Sequence, residues 1–475
     1  MSLKRAIAYN TAVQIAGKAV STLLGLAAVA IMTRYLGAEH FGWYITASGF
    51  LQFIGIVSDF GFTVTVSNML AEARFDKKAI LETSFTWRFI TSAIFNGLAP
   101  LIILFFPYPK EIKLAVALLA LSFFSTALNQ VFIGYYRERL QLMAASVGEV
   151  AGRVVLVAGV GLVALGHFGF LPIMAAITIA AITTTIYLWI QLKPIRWHID
   201  RAISQALFHK MWPTAISVIC NAFYLQADRV ILPLYVSQTT VGLYGASYRV
   251  LDIVIQVAAL IMGMIMPLIT FAWARNNRDE FSQRYQLGFD VLVLMLLPMI
   301  TGIFVLSRPI LQFIAGSSFL EGGNYLRYLS LSIFGTCFGM IFGHIALAIN
   351  RQKEALWIYG TDALLSLAGY FYFIAHYGVW GAIGVTLFSE VYAGIGLTVL
   401  TIYYSSVAPR LISFLKILAA SLIMGVALYA LRGIPLLSAV ILGGILYAAL
   451  IILLRVVSPA TLKEIIATPR VAEIS

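Results

Sequence analysis

Four cations and seven acids stand inside, or at the ends of, stretches that are otherwise apolar. They are Lys18, Arg88, Arg153 and Arg249, with Asp59, Glu149, Asp228, Asp252, Asp290, Asp362 and Glu390. In a bilayer, an ionised side chain costs at least about 2.5–3.5 kcal/mol at the centre, so it must face a bundle interior or a wet cavity. That is the chemistry of holding and passing ions or polar cargo. Spacing sorts the groups. Glu149 and Arg153 are four apart and Arg249 and Asp252 three apart, so each couple can close a structural ion pair on its own helix. Lys18, Asp59, Arg88, Asp290, Asp362 and Glu390 have no opposite charge at those offsets, which leaves a cavity role and a pair with another helix both open. Asp228 and Arg229 are adjacent and point different ways, so at least one needs a partner elsewhere. Helical offsets extend several of these positions into polar stripes: Asn10, Gln14, Lys18, Ser21 and Gly25; Ser48, Gln52, Gly55 and Asp59; Ser84, Arg88 and Ser92; Tyr244, Tyr248, Asp252 and Gln256. Facing stripes of this kind enclose a hydrated pathway without naming its cargo.

The elements that carry these residues follow from composition. The chain has 475 residues, 61% hydrophobic and 11% charged, against about 45–50% and about 25% in soluble domains. Its apolar runs of about 20 residues, broken by short polar segments, have the length of membrane-crossing helices. The alternation of a transmembrane barrel is missing. The fold class expected is an all-α polytopic membrane protein with about fourteen transmembrane helices. Asn10, Gln14 and Lys18 interrupt the first run, which therefore reads as an uncleaved span over 9–32 and not as a signal peptide. Loops on the side of both termini hold 21 Lys and Arg, and the opposite loops hold 6. That asymmetry predicts N-in, C-in topology in the cytoplasmic (inner) membrane. It also accounts for the net charge of +12 as orientation, with no nucleic-acid partner.

Short loops leave no room for a catalytic domain, and no HExxH, GxSxG or GxxxxGK[ST] motif occurs. A transporter is expected, with no enzymatic activity and no cofactor or metal. The two cysteines, Cys220 and Cys337, lie in apolar runs and define no disulfide or metal scaffold.

Two internal echoes divide the chain. Tyr35, Gly42, Tyr44 and Leu51 stand 200 positions before Tyr235, Gly242, Tyr244 and Leu251. Gly166-His167-Phe168-Gly169-Phe170 likewise precedes the sixth span as His376-Tyr377-Gly378-Val379-Trp380-Gly381 precedes the twelfth. The division read from them is an N-terminal six-helix lobe over 1–190 and a cytoplasmic amphipathic linker over 191–211, lying at the lipid headgroups. A C-terminal six-helix lobe follows over 212–403, then two extra helices and a cytoplasmic tail over 404–475.

Four segments then carry a resemblance. TRYLGAEHFGWYITA (Thr33–Ala47), DRVILPLYVSQTTVGLYGASYRV (Asp228–Val250), GSSFLEGGNYLRYLSLS (Gly316–Ser332) and HYGVWGAIGVTLFSE (His376–Glu390) resemble, in order, segments of the polysaccharide-export proteins. These form the Wzx-type flippase branch of the multidrug/oligosaccharidyl-lipid/polysaccharide (MOP) exporter superfamily. The resemblance implies a V-shaped bundle of two six-helix lobes around a central cavity. It also implies secondary transport, without ATP hydrolysis: transfer of polyprenyl-diphosphate-linked oligosaccharide to the outer leaflet, for surface polysaccharide such as O-antigen of lipopolysaccharide, exopolysaccharide or capsule. Lys18, Arg88, Arg153 and Arg249 would then meet the diphosphate and sugar acids, Arg88 foremost because a guanidinium grips phosphate oxygens in pairs. Asp59, Glu149, Asp228, Asp252, Asp290, Asp362 and Glu390 would bind the coupling H⁺ or Na⁺ or gate the route. Implied partners are membrane lipids and a polysaccharide polymerase with its chain-length machinery. A lipid II flippase and a drug/cation antiporter of the same superfamily share the expected fold; a membrane glycosyltransferase or polymerase is the alternative from another class.

Overall fold

The computed structural model describes residues 3–71, 75–139, 142–192, 196–431 and 433–456. Arg74, Lys193, Arg432, the tail with Lys463 and Arg470, and the side chains of Lys4, Arg5, Asn10, Arg137, Pro213 and Cys220 lie outside the described residues. Among those described there is no strand. The helices run, in order, α1 (Leu3–Asp59), α2 (Phe62–Ala71), α3 (Lys77–Ile102), α4 (Lys110–Glu138), α5 (Leu142–Leu165), α6 (Phe170–Gln191), α7 (Arg201–Tyr235) and α8 (Gln238–Ala274). There follow α9 (Arg278–Ala315), α10 (Gly322–Leu329), α11 (Ser332–Ala348), α12 (Gln352–Tyr377), α13 (Val379–Ser405), α14 (Leu411–Ala430) and α15 (Leu436–Leu453).

Among the described residues, twelve helical segments are long and apolar enough to cross a membrane. The sequence led us to expect fourteen. The difference has two sources. The first two predicted spans share α1, which turns at Gly37 (φ 69°, ψ 179°) without ending. That backbone region is closed to residues with a Cβ, so the bend depends on glycine. The predicted span 212–233 lies within α7, and many side chains of that stretch are outside the described set.

Contacts divide the chain into two compact units. The first comprises Met1–Ala246, Ile314–Leu320 and Tyr359–Val385. In it α1 packs along α5, α5 along α6, and α4 between α3 and α6. Its apolar centre joins α2, α3, α4, α6 and the start of α7 through Phe85, Phe132, Leu188 and Leu207. The linker belongs here too: residues 196–200 are non-helical and 201–211 form the first turns of α7. In the non-helical part alternate amides find side chains of α3: Arg196 donates to Glu82 Oε1 (3.4 Å), His198 to Thr86 Oγ1 (3.2 Å) and Asp200 to Thr83 Oγ1 (3.2 Å). Trp197 packs on Phe85 and Phe89. Asp200 then caps α7 by accepting from Ile203 N at 2.9 Å. From there one helix runs unbroken from the linker into the predicted seventh span.

The echoes of the sequence have physical meaning inside this unit. Gly42 of α1 and Gly242 of α8 lie face to face, so a Cβ on either would overlap the carbonyl of Gln238 or Ala38. Thr46 Oγ1 donates to Gln238 Oε1 at 2.7 Å in the same crossing. Phe41 meets Phe319 edge-on at 5.8 Å, which joins the Thr33–Ala47 segment to the start of the Gly316–Ser332 segment. The second echo forms the turns between α5 and α6 and between α12 and α13, both containing a positive-φ glycine, Gly169 and Gly378. Tyr35 Oη accepts from Gly169 N at 2.8 Å.

The second unit comprises Ser247–Phe313, Glu321–Ile358 and Thr386–Ser475. Phe289, Phe338, Phe342 and Phe414 meet edge-on or tilted within it. Tyr447 Oη of α15 donates to Leu294 O of α9 at 2.6 Å. Helix α9 breaks at Leu306 (φ −97°, ψ 15°), three residues before Pro309, whose ring removes the amide that Val305 O would otherwise receive. Arg327 Nε donates to the neighbouring Phe304 O at 3.2 Å and steadies the break.

Candidate functional site

The polar stripe of α1 is a packing seam against α5. Gly17 faces Ser146, Lys18 and Ser21 face Glu149, and Gly25 faces Arg153, so both helices contribute one row at helical spacing. Lys18 Nζ lies 3.2 Å from Glu149 Oε1, and Ser21 Oγ donates to the same oxygen at 2.7 Å. The pair expected within α5, Glu149 with Arg153, is therefore replaced by one between helices. The reason is reach: Ser21 and Lys18 converge on one oxygen from across the seam. Arg153 makes no hydrogen bond or close ion pair with any described residue; its guanidinium lies beside Gly25 and acts on the Glu149 carboxylate only through space. Lys18 and Glu149 are each about one-third exposed (36% and 35%). The cluster of Lys18, Glu149 and Arg153 has one more cation than acid and can bind an anion.

A second cluster joins the stripes of α1 and α3. Arg88 is 3% exposed, and its Nη2 lies 3.0 Å from Asp59 Oδ1. The same guanidinium donates to Gln130 Oε1 (3.1 Å), Ser58 O (3.3 Å) and Ala127 O (3.4 Å). Thr63 Oγ1 donates to Asp59 Oδ1 at 2.6 Å. Arg88 has protein partners at all three of its nitrogens, so its paired fork is committed to holding α1, α3 and α4 together. Asp59 and Arg88 are 29 residues apart, beyond any rule of offsets. They form part of the wall of a cavity of about 350 Å³ with Gln52, Gly55, Asn96 and Thr126. Ser58 Oγ and Asn96 Oδ1 are buried there without a partner among the described residues. Polar walls of this size are suited to hold water.

The remaining sequence candidates stand apart from these clusters. Asp228 is fully buried and accepts from Tyr244 Oη at 2.7 Å. In the second unit Arg249 and Asp252 approach to 3.9 Å on one helix. Asp290 accepts from Gln286 Nε2 at 2.9 Å, and Gln286 also meets the backbone of Arg410. Asp362, buried in the first unit, accepts from Ser366 at 3.0 Å. Glu390 is half-buried, with its backbone against Gly335. Sequence reasoning missed Gln130 and Thr63. Both are uncharged and drew no notice, although they complete the Arg88 cluster. His344 Nδ1 hydrogen-bonds Met340 O on its own helix at 2.7 Å.

Comparisons with known proteins extend this picture. Succinoglycan biosynthesis transport protein ExoT of Rhizobium meliloti (strain 1021) is 24% identical over 319 residues, 64% of this chain. That match spans 61% of ExoT, less than two-thirds of its length. The probable low-salt glycan biosynthesis flippase Agl15 of Haloferax volcanii is 20% identical over 380 residues, 76% of each chain. Among solved structures, lipid II flippase MurJ in an inward closed conformation superposes with a TM-score of 0.76 at 15% identity, covering 93% of this chain and 98% of that one. The fold is the MOP exporter fold that the sequence segments implied. Residues 31–322, more than half of the chain, match the family described as polysaccharide biosynthesis protein, and the chain belongs to that family.

Proposed function

We propose that the protein is a flippase that carries a polyprenyl-diphosphate-linked oligosaccharide across the cytoplasmic membrane, for surface polysaccharide, with N- and C-termini inside. The observation that carries this reading is the α1–α5 seam, where Lys18 and Arg153 flank a single acid and Arg153 makes no hydrogen bond or close ion pair with a described residue. A diphosphate and its sugars cannot enter hydrocarbon without losing water, so the route must offer cations and polar walls while the polyprenyl tail stays in lipid. The family and the named relatives, a succinoglycan transport protein and a glycan flippase, support the cargo class. A drug cation would call for an acidic excess, and the seam has the opposite sign.

Glu149 is the acid placed to couple the step to an ion. Neutralised by H⁺ or Na⁺, it releases Lys18 and Ser21 to the phosphate; re-ionised, it reclaims them and expels the cargo. Ion movement supplies about 2.3 kcal/mol per charge per 100 mV. Vesicles holding the purified protein and a lipid-linked oligosaccharide test this. Arg153→Ala is expected to lower the translocation rate about tenfold or more, the worth of a charge-assisted hydrogen bond, at unchanged protein level. Glu149→Gln is expected to keep translocation while removing its dependence on an ion gradient. Normal rates in Arg153→Ala would remove the seam from the route; a preference for lipid II over the oligosaccharide carrier would reassign the cargo.

A further inference from the structure

The break in α9 opens a pocket that the proposed route does not use. It has a volume of about 420 Å³ and lies among α9, α10, α14 and α15, all within the second unit. Arg308 and Arg327 reach it from one side; Leu428, Leu431 and Ile434 line the other. No acidic side chain is among its described lining residues. Arg327 uses Nε on Phe304 O, which leaves its terminal nitrogens, and Arg308 forms no hydrogen bond or ion pair with any described residue. Gly323 gives Arg308 its seat, since a Cβ there would meet the Arg308 stem at 2.6 Å.

Depth comes from helix length. Arg308 stands 24 residues beyond Arg284 on α9, about 36 Å at helical rise, slightly more than the bilayer core of about 30 Å. Exposed Tyr328 and Tyr429 are close in sequence to Arg327 and Leu428, as aromatic residues are at the headgroup level. Two guanidinium groups at that level, with no carboxylate among the described lining residues and an apolar wall beneath, match one kind of occupant. A net negative phosphate head with acyl chains has that shape and charge, and paired N–H donors suit its oxygens.

We infer that this pocket binds an anionic phospholipid of the leaflet opposite Arg284, the headgroup phosphate on Arg308 and Arg327 and one chain along Leu428, Leu431 and Ile434. The lipid would stopper the break in α9 and tie it to the C-terminal helix pair. Native mass spectrometry of the full chain, delipidated and then given phosphatidylglycerol or phosphatidylcholine, reads the site directly. The expected result is selective retention of phosphatidylglycerol with a higher melting temperature. Arg308→Gln should lose the selective retention about tenfold, Arg308→Lys should keep part of it, and Arg284→Gln, at the other end of α9, should keep all of it. Three results would overturn the inference: equal retention of the two lipids, Arg308→Gln with intact selectivity, or displacement of phosphatidylglycerol by a polyprenyl diphosphate or by inorganic phosphate at equal concentration. These readouts do not depend on translocation, so the site stands or falls apart from the α1–α5 seam.

Discussion

Arg88→Ala is expected to cost about 3–5 kcal/mol of stability, because it leaves the Asp59 carboxylate in a protected site without its cation. The geometry makes the loss larger than one ion pair. Arg88 also supplies donors to Ser58 O, Ala127 O and Gln130 Oε1, so its removal takes three further hydrogen bonds with it, although Thr63 Oγ1 still donates to Gln130 Oε1 at 3.1 Å. Phe62 lies over the guanidinium at 5.5 Å and would lose that contact as well. Asp59→Ala alone should cost less, since Arg88 retains three acceptors and the carboxylate is 17% exposed. The double variant should cost less than the sum of the singles, the sign of direct coupling. Melting curves in detergent give all three values. A stable Arg88→Ala protein that has lost translocation would return Arg88 to the cargo, the role its guanidinium first brought to mind.

The outcome also decides what the cavity beside Arg88 is for. If the arginine is a clamp, Gln52, Asn96 and Thr126 form a polar wall around a fixed strut, and the contents of the cavity can change without moving α1 from α3. In the proposed cycle that division of labour matters. The Arg88 cluster would keep the first unit rigid while the Lys18–Glu149 pair, about one-third exposed and with Arg153 beside it in no hydrogen bond or close ion pair, does the exchanging.

Much of this architecture was legible in the chain, and the illegible part has a common cause. Hydropathy gave the helices because bilayer thickness fixes their length whatever they pack against. The polar stripes were also real features: Lys18, Ser21 and Gly25 on one face of α1 do meet one row of α5. What spacing could not supply was the partner. Offsets of three and four see only a residue's own helix, so Glu149 was offered Arg153 and never Lys18, 131 residues away. Asp59 and Arg88 were each left single for the same reason. In the linker, residues 201–211 are helical, but residues 196–200 are not, because Glu82, Thr83 and Thr86 offer acceptors to alternate amides, a tertiary event that composition does not contain.

The 200-residue echo was also visible, but its cause was not, and a second prediction rests on that cause. Gly42 and Gly242 occupy equivalent places in the two copies and contact each other reciprocally. A Cβ on Gly42 would stand 3.1 Å from Gly242 N and overlap Gln238 O; one on Gly242 would stand 2.9 Å from Gly42 N and overlap Ala38 O. Gln238 and Ala38 are again 200 apart, as are Ile45 and Gly245, which pack together one turn further on. The neighbours being struck are backbone atoms, which cannot swing aside as a flexible side chain would. Either alanine must therefore push α1 from α8, and overpacking of this kind costs about 1–3 kcal/mol, with valine costing more. Because one separation makes room for both side chains, Gly42→Ala and Gly242→Ala should cost alike and their double variant clearly less than the sum. Gly97→Ala and Gly134→Ala provide the contrast, as nothing lies within 4 Å of either new Cβ and each should gain helix propensity of about 1 kcal/mol. Melting temperatures of the five proteins decide it: if the Gly42 and Gly242 variants melt with the Gly97 control, the two helices are not in backbone contact and the echo has no structural basis there.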